Sequence, residues 1–306
     1  MSSLSSKNVN SIIVMFFLVF LLLITSSNVS AKTNLSARDI VELVDESRRQ
    51  TTDSAFTRMS LTTCKYGISK GKLKCAKKAR IKVIESAQVN TGEDNKDVKS
   101  ISIVLEPANE RGIGMLSFSY DDTDRDNETW IYLSALGKVK RMSTSSSDDE
   151  DTESASLFGT EITIEDQETG KLDDFNYEIL GEGKFRGREV VIIESTPKPH
   201  RLKKSRYGKT RSWIDSERFI TLKVQMFDKN KKPIKQLDAG KVEKINDIWM
   251  SRSLTFMNLV TQTLTNMKIE AINFNIKIEP SFLTKRALND QAFREKYLLD
   301  LREQAK

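Results

Sequence analysis

The sequence holds one histidine, two cysteines and five prolines among 306 residues. The scarcity of histidine excludes most histidine-based catalysis. A general base needs a positioned partner on a rigid support, and His200 stands between Pro199 and Arg201 in a basic stretch. No G-x-S-x-G, H-E-x-x-H or phosphate-loop motif occurs, so the nucleophile elbow, the zinc-protease helix and the nucleotide cradle are missing. Cys64 and Cys75 have no histidine nearby to complete a tetrahedral metal shell. No enzyme activity, cofactor or metal site is expected. The few prolines avoid the strongly alternating runs, which leaves β pairing uninterrupted.

Long apolar runs are absent except at the start. Ile12 to Ile24 form thirteen consecutive apolar residues behind Lys7 and ahead of TSSNVSA. Such a run reaches roughly 20 Å as a helix, short of the ~30 Å apolar thickness of a bilayer. The layout predicts a signal peptide over residues 1–31, cleaved after Ala31, and an exported chain in an oxidising compartment. There the Cys64–Cys75 pair predicts a disulfide, since the intervening KYGISKGKLK reads as a hairpin turn. A surplus of one charge sign is also missing: 49 basic residues face 43 acidic ones, spread along the chain. That balance does not indicate nucleic acid.

What the chain has in abundance is alternation. Residues 36–50 have helical spacing, with Ser36 and Asp39 placed as a capping box. Beyond them the period becomes two, from Ala79–Val83 through TLTNMKIEAINF, predicting an antiparallel meander of about ten or eleven strands. The acidic stretch 143–156 and the basic stretch 197–211 read as loops. A second helix is expected from Thr284. Several strands are apolar on both faces, as in Trp130-Ile131-Tyr132-Leu133, Val190–Ile193 and Phe256-Met257. Pattern alone leaves two solutions open: a closed barrel or sandwich filled by side chains, or a sheet with one apolar face left for a bound lipid.

The segment from Leu105 to Pro199 carries a resemblance. Pro107, Arg111 and Gly112, then Trp130, Tyr132 and Arg141, then Phe158, Gly159, Glu165 and Asp166, then Gly187, Arg188, Glu194, Pro197 and Lys198 fall in the order of four family motifs. On these residues the chain, from about Ala37 to Leu288, resembles the LolA-like outer-membrane lipoprotein-sorting proteins. The strand Pro is replaced by Ala135-Leu136, and the phenylalanine box reads FGTEI.

The resemblance implies an α+β, mainly β fold: an unclosed, strongly curved antiparallel half-barrel with helices over its concave face. One domain would span 32–288, with a helical extension over 289–306. It implies a periplasmic, monomeric carrier of lipid or lipoprotein acyl chains working with an RND-type transporter. The cavity residues expected are Leu116, Phe118, Tyr120, Trp130, Tyr132 and Phe158, with Arg111, Arg141 and Asp166 as polar residues of the lid, for which helix 36–50 is the candidate. The competing reading is an envelope assembly protein that binds a protein partner and no lipid. The basic stretch 198–211 reads either as a contact for anionic headgroups or a transporter, or as a solvated loop.

Overall fold

The computed structural model describes residues 35–49, 52–142, 156–167 and 171–305. The apolar run 12–24, the cleavage position after Ala31 and most of the acidic stretch lie outside the described residues.

Helix α1 (Ala37–Arg49) begins with the expected capping box. The Ser36 Oγ accepts from the Asp39 N–H at 3.2 Å, and Asp39 Oδ2 accepts from the Ser36 N–H at 2.9 Å. Fourteen strands follow in one antiparallel sheet among the described residues. They are β1 (Ser54–Ser69), β2 (Lys72–Cys75), β3 (Arg80–Thr91), β4 (Asp97–Glu106) and β5 (Gly114–Ser119). Next come β6 (Glu128–Leu133), β7 (Lys138–Met142), β8 (Phe175–Phe185), β9 (Arg188–Pro197) and β10 (Lys209–Asp215). The last four are β11 (Thr221–Phe227), β12 (Pro233–Ile245), β13 (Ile248–Asn258) and β14 (Thr263–Phe274). Their order is β7-β6-β5-β4-β3-β1-β14-β13-β12-β11-β10-β9-β8, with β2 paired only to β1. The sheet is not closed, as the resemblance implied. It exceeds the ten or eleven strands expected because β1, β2 and β7 carry weak alternation. In β1 the period is unbroken, with Phe56 and Leu61 on opposite faces, but Thr57, Arg58, Ser60, Thr62 and Thr63 put polar residues on both faces; the register shift with β14 leaves Glu270 of β14 as the extra residue.

Both faces are covered, which answers the doubly apolar strands. On one face a cross-strand row runs Phe56, Ala87, Ile101, Leu116, Trp130 through direct partners. Onto this Trp130 face pack Phe282, Leu283, Ala287 and Leu288, and Leu298 and Leu301 from the C-terminal helices. These helices are α4 (Lys285–Asn289) and α5 (Gln291–Gln304), numbered after two short ones introduced below. The single helix expected from Thr284 is broken at Asp290, whose carboxylate caps α5 by accepting from the Phe293 N–H at 3.0 Å. Arg294 is buried, and burial lowers its pKa; its guanidinium donates to the Ala287 and Leu288 carbonyls at 3.2 and 2.8 Å. Arg302 reaches buried Glu85 on β3 at 2.6 Å. Gly114 allows a close approach here: a Cβ would stand 2.7 Å from Ile103 Cδ1 and 2.9 Å from Leu288 Cδ2, so those side chains would have to shift.

The opposite face is lined by Leu61, Ile84, Val104, Met115 and Phe256, with Met59, Leu237, Leu254 and Met267 around them. The C-terminal helices and residues 157–162 thus pack on opposite faces of the sheet. The predicted disulfide links Cys64 to Cys75 with Cα atoms 5.7 Å apart, across the β1–β2 hairpin.

Candidate functional site

The Phe256 face is occupied by a segment of the chain itself, residues 156–167. Its geometry is set locally. A bridge joins Ser156 to Thr163, and the Leu157 N–H donates to the Ile162 carbonyl at 2.6 Å. Between them a 3₁₀ turn, Leu157–Gly159, carries Phe158 at φ 52° followed by Gly159 at φ 68°. A left-handed phenylalanine is unfavourable alone and is held by its surroundings. Phe158 is buried with Leu157 and Ile162 among the side chains of the Phe256 face. The segment closes with α2 (Ile164–Gln167), opened by a second capping box: the Thr163 N–H donates to Asp166 Oδ2 at 2.7 Å, and the Asp166 N–H to Thr163 Oγ1 at 3.3 Å.

Three acidic side chains fasten this lid. Asp166 has no exposed side-chain surface and pairs with Lys235 of β12, which is 8% exposed. Its other oxygen accepts from the Tyr207 hydroxyl at 2.7 Å. Burial and the Asp166 charge together push the Tyr207 pKa upward. Glu165 accepts from the Ser205 hydroxyl and from the Arg206 N–H, the latter at 3.1 Å, and stands 3.7 Å from Arg201. Glu161 accepts from Asn258 at 3.1 Å and from Thr263, while its own N–H donates to Thr265 Oγ1 at 2.9 Å. The lid is thus tied to β12, to β13–β14 and to the segment after α3 (Pro199–Lys204).

The expected site residues divide between the two faces. Leu116, Phe118, Trp130 and Tyr132 belong to the Trp130 face, under α4 and α5. Phe118 meets Trp130 edge-on at 5.3 Å, and Lys285 Nζ lies 4.3 Å from the Trp130 ring centre. Tyr120 continues the same side at the end of β5, with its hydroxyl on Glu128 at 3.1 Å and Arg125 stacked on its ring. Phe158 alone lies on the Phe256 face. The six are therefore not brought to one cavity. The lid face is filled by Leu157, Phe158 and Ile162, so the hollow expected to be left open is occupied by the chain's own side groups.

Of the polar residues, Asp166 fastens the lid. Arg111 donates to the Leu105 carbonyl at 3.0 Å, and Arg141 forms an exposed pair with Glu128 at 3.0 Å; neither touches the lid by these bonds. Helix α1 does not supply the lid either. It lies beside β8, with Arg38 on Asp173 at 2.7 Å and the Ser47 hydroxyl on the Phe219 carbonyl at 3.2 Å. The basic stretch is partly helical, and its Arg201, Ser205, Arg206 and Tyr207 hold the lid. His200 Nε2 sits 2.8 Å from Asp174 Oδ1. Lys235, Tyr207 and Glu161 were not singled out from sequence; the sole signal was the acidic E-D pair after the phenylalanine box.

Two depressions in the described surface are both lined mainly by polar and charged residues. One of about 720 Å³ is bounded by Arg186, Arg188, Asp215 and Arg218, and one of about 50 Å³ by Arg125, Lys171, Asp174 and Lys204. Among the described residues no group of acidic, histidine or cysteine side chains is placed to hold a metal, and no helix is long and apolar enough to cross a membrane.

An unclosed antiparallel sheet with helices and a fastened crossing loop is a LolA-like fold. The chain is similar to a DUF1329 family protein from Desulfovibrio piger, at 21% identity and TM-score 0.70 over 82% of this chain and 97% of that one. It is similar to a domain from Vibrio parahaemolyticus described as an outer membrane lipoprotein-sorting protein, at 21% identity and TM-score 0.68 over 81% and 97%. A LolA superfamily protein from Nitrosomonas europaea aligns at 15% identity and TM-score 0.58 over 82% and 98%. No curated protein matches the sequence. The family model that matches, over residues 96–290, is described as "Uncharacterized protein", and the chain belongs to that family; its fold is LolA-like.

Proposed function

We propose that the chain is an exported, periplasmic and monomeric carrier that takes a lipid or lipoprotein acyl chain on the Phe256 face, with residues 156–167 as a displaceable plug. The observation that carries this reading is the lid itself: three apolar side chains occupy the face, while the attachments around them are ionic and hydrogen-bonded. Burying Leu157, Phe158 and Ile162 is worth roughly 5–9 kcal/mol, at about 1.5–3 kcal/mol each. At about 0.8 kcal/mol per methylene, a chain of roughly six to eleven CH₂ groups matches that, and a longer one exceeds it. The plug thus lowers the net affinity to a value that permits release. Met59, Met115 and Met267 on the same face are flexible and polarisable, which suits a surface that repacks around a different occupant. An RND-type transporter as the delivery partner, and a cleaved signal peptide ahead of the carrier, complete the reading.

The test is displacement of a fluorescent fatty acid by delipidated protein, together with native mass spectrometry of protein purified from its own envelope. A lipid-sized adduct and a saturable titration are expected. An adduct-free protein with no titration at any concentration would leave the assembly-protein reading in its place.

A further inference from the structure

The β1–β2 hairpin extends beyond the sheet. Residues Ala55–Lys65 of β1 pair with β14 and Ser54–Thr63 with β3, whereas Gly67–Ser69 pair only with Lys72–Lys74. Three rungs at ~3.3 Å each make a finger projecting roughly 10 Å. Near its tip Ile68 stands directly opposite Leu73, and these side chains are 78% and 43% exposed. From Ser54 to Ile84 the sequence contains no acidic residue. Lys70, Lys74, Lys77 and Lys78 on and beside the finger are exposed, with no carboxylate partner among the described residues. The Cys64–Cys75 disulfide ties the base of the finger. Next to it the Tyr66 N–H donates to the Gln262 carbonyl at 2.9 Å, in a turn where Val260 is 62% exposed.

We infer that this finger docks the protein on an anionic bilayer surface, with Ile68 and Leu73 entering the interface and the lysines meeting lipid phosphates. Two weak signals together, apolar insertion and a polybasic patch, are what reversible membrane attachment requires. The patch is two or three side chains wide, far below the roughly 1,000 Å² of a specific protein interface. A second copy would bring the same uncompensated positive charge against it. The disulfide keeps the tip formed before contact, which reduces the ordering cost of binding. The hairpin lies outside the family match at 96–290.

The experiment is co-sedimentation of envelope-purified protein with vesicles of phosphatidylcholine, pure or with roughly one-third phosphatidylglycerol, at about 0.1 M and about 0.5 M salt. Binding is expected to the anionic vesicles alone and to weaken at high salt. Neutralising Lys74, Lys77 and Lys78 together to Gln lowers the partition coefficient about a hundredfold, at roughly fivefold per charge. Ile68→Ser with Leu73→Ser lowers it while leaving the salt dependence unchanged. Lys184, Lys241 and Lys244 changed together to Gln, the same charge change at the other end of the sheet, leaves it within a few-fold. Equal binding to neutral vesicles, no binding, equal loss in both lysine triples, or dimerisation through the hairpin would each overturn the inference. The carrier reading is tested without vesicles and stands or falls separately.

Discussion

Replacing Asp166 by Asn should release the lid without unfolding the sheet. In the closed arrangement the Asp166 carboxylate is the counter-charge of Lys235 and an acceptor for Tyr207, with neither member of the ion pair appreciably in water. Removing one partner of a buried pair leaves an uncompensated charge and costs about 3–5 kcal/mol. That is about half of the roughly 5–9 kcal/mol supplied by the three apolar lid residues. At about 1.4 kcal/mol per tenfold, the closed population falls between roughly two and three and a half orders of magnitude relative to the open one. Hydrogen exchange read on a peptide covering 156–167 should accelerate by that factor, while β13 and β14 keep their protection. Adding Lys235→Met to Asp166→Asn removes the stranded charge and should restore much of the protection, since most of the cost in the single variant is that of a buried charge left unpaired. Fatty-acid affinity should rise in Asp166→Asn as the competent fraction grows. The reasoning fails if lid exchange is unchanged in the single variant, or if the whole sheet loses protection equally.

Gly114→Ala forces a methyl against Ile103 and Leu288; a loss of about 1–3 kcal/mol in urea unfolding is expected, and an unchanged midpoint would show that α4 can shift freely. Changing Cys64 and Cys75 to Ser opens a short loop whose closure is worth about 3 kcal/mol, which should appear as a lower thermal midpoint in the oxidised comparison. Tyr177, beside α1, has its pKa pushed up to about 12, first by burial, against the opposing charge of Arg38. Its stabilisation is fully present below pH 10, the ordinary tyrosine value, and is lost as pH rises towards about 12. Tyr177→Phe should therefore flatten the alkaline fall in stability across that window, by an amount on the order of 2 kcal/mol.

The fold was legible where one face of a strand alternates cleanly, as in Ile101, Ile103 and Leu116, Phe118, and along the capped helix α1. It was illegible where geometry interrupts the period. Polar residues on both faces of SAFTRMSLTTCKYGIS hide β1, and β7 offers only Val139 as an aliphatic side chain within KVKRM. The stripe that docks α5 is Arg294, Leu298, Leu301, and a charged residue at its head disguises it. For the site, residue types were informative and faces were not. Residues in register do share a face: Leu116 and Trp130 are direct partners, with Phe118 and Tyr132 on the same side. Phe158 could not be assigned to a face because it sits in a turn, where period two does not apply. Lys235 lies 69 residues from Asp166 and joins it through tertiary contact alone.

The strand order has a consequence for how the sheet can be assembled. The first long strand, β1, lies in the middle of the sheet and finds one of its two long neighbours in the last strand, β14, with Ala55 opposite Phe274. The stretches β3–β7 and β8–β14 are each sequential ladders of neighbours and need few distant contacts. The seam between them joins residues about two hundred positions apart, so its closure carries the greater loop entropy. A nascent or threading chain cannot stitch that seam until Phe274 has emerged.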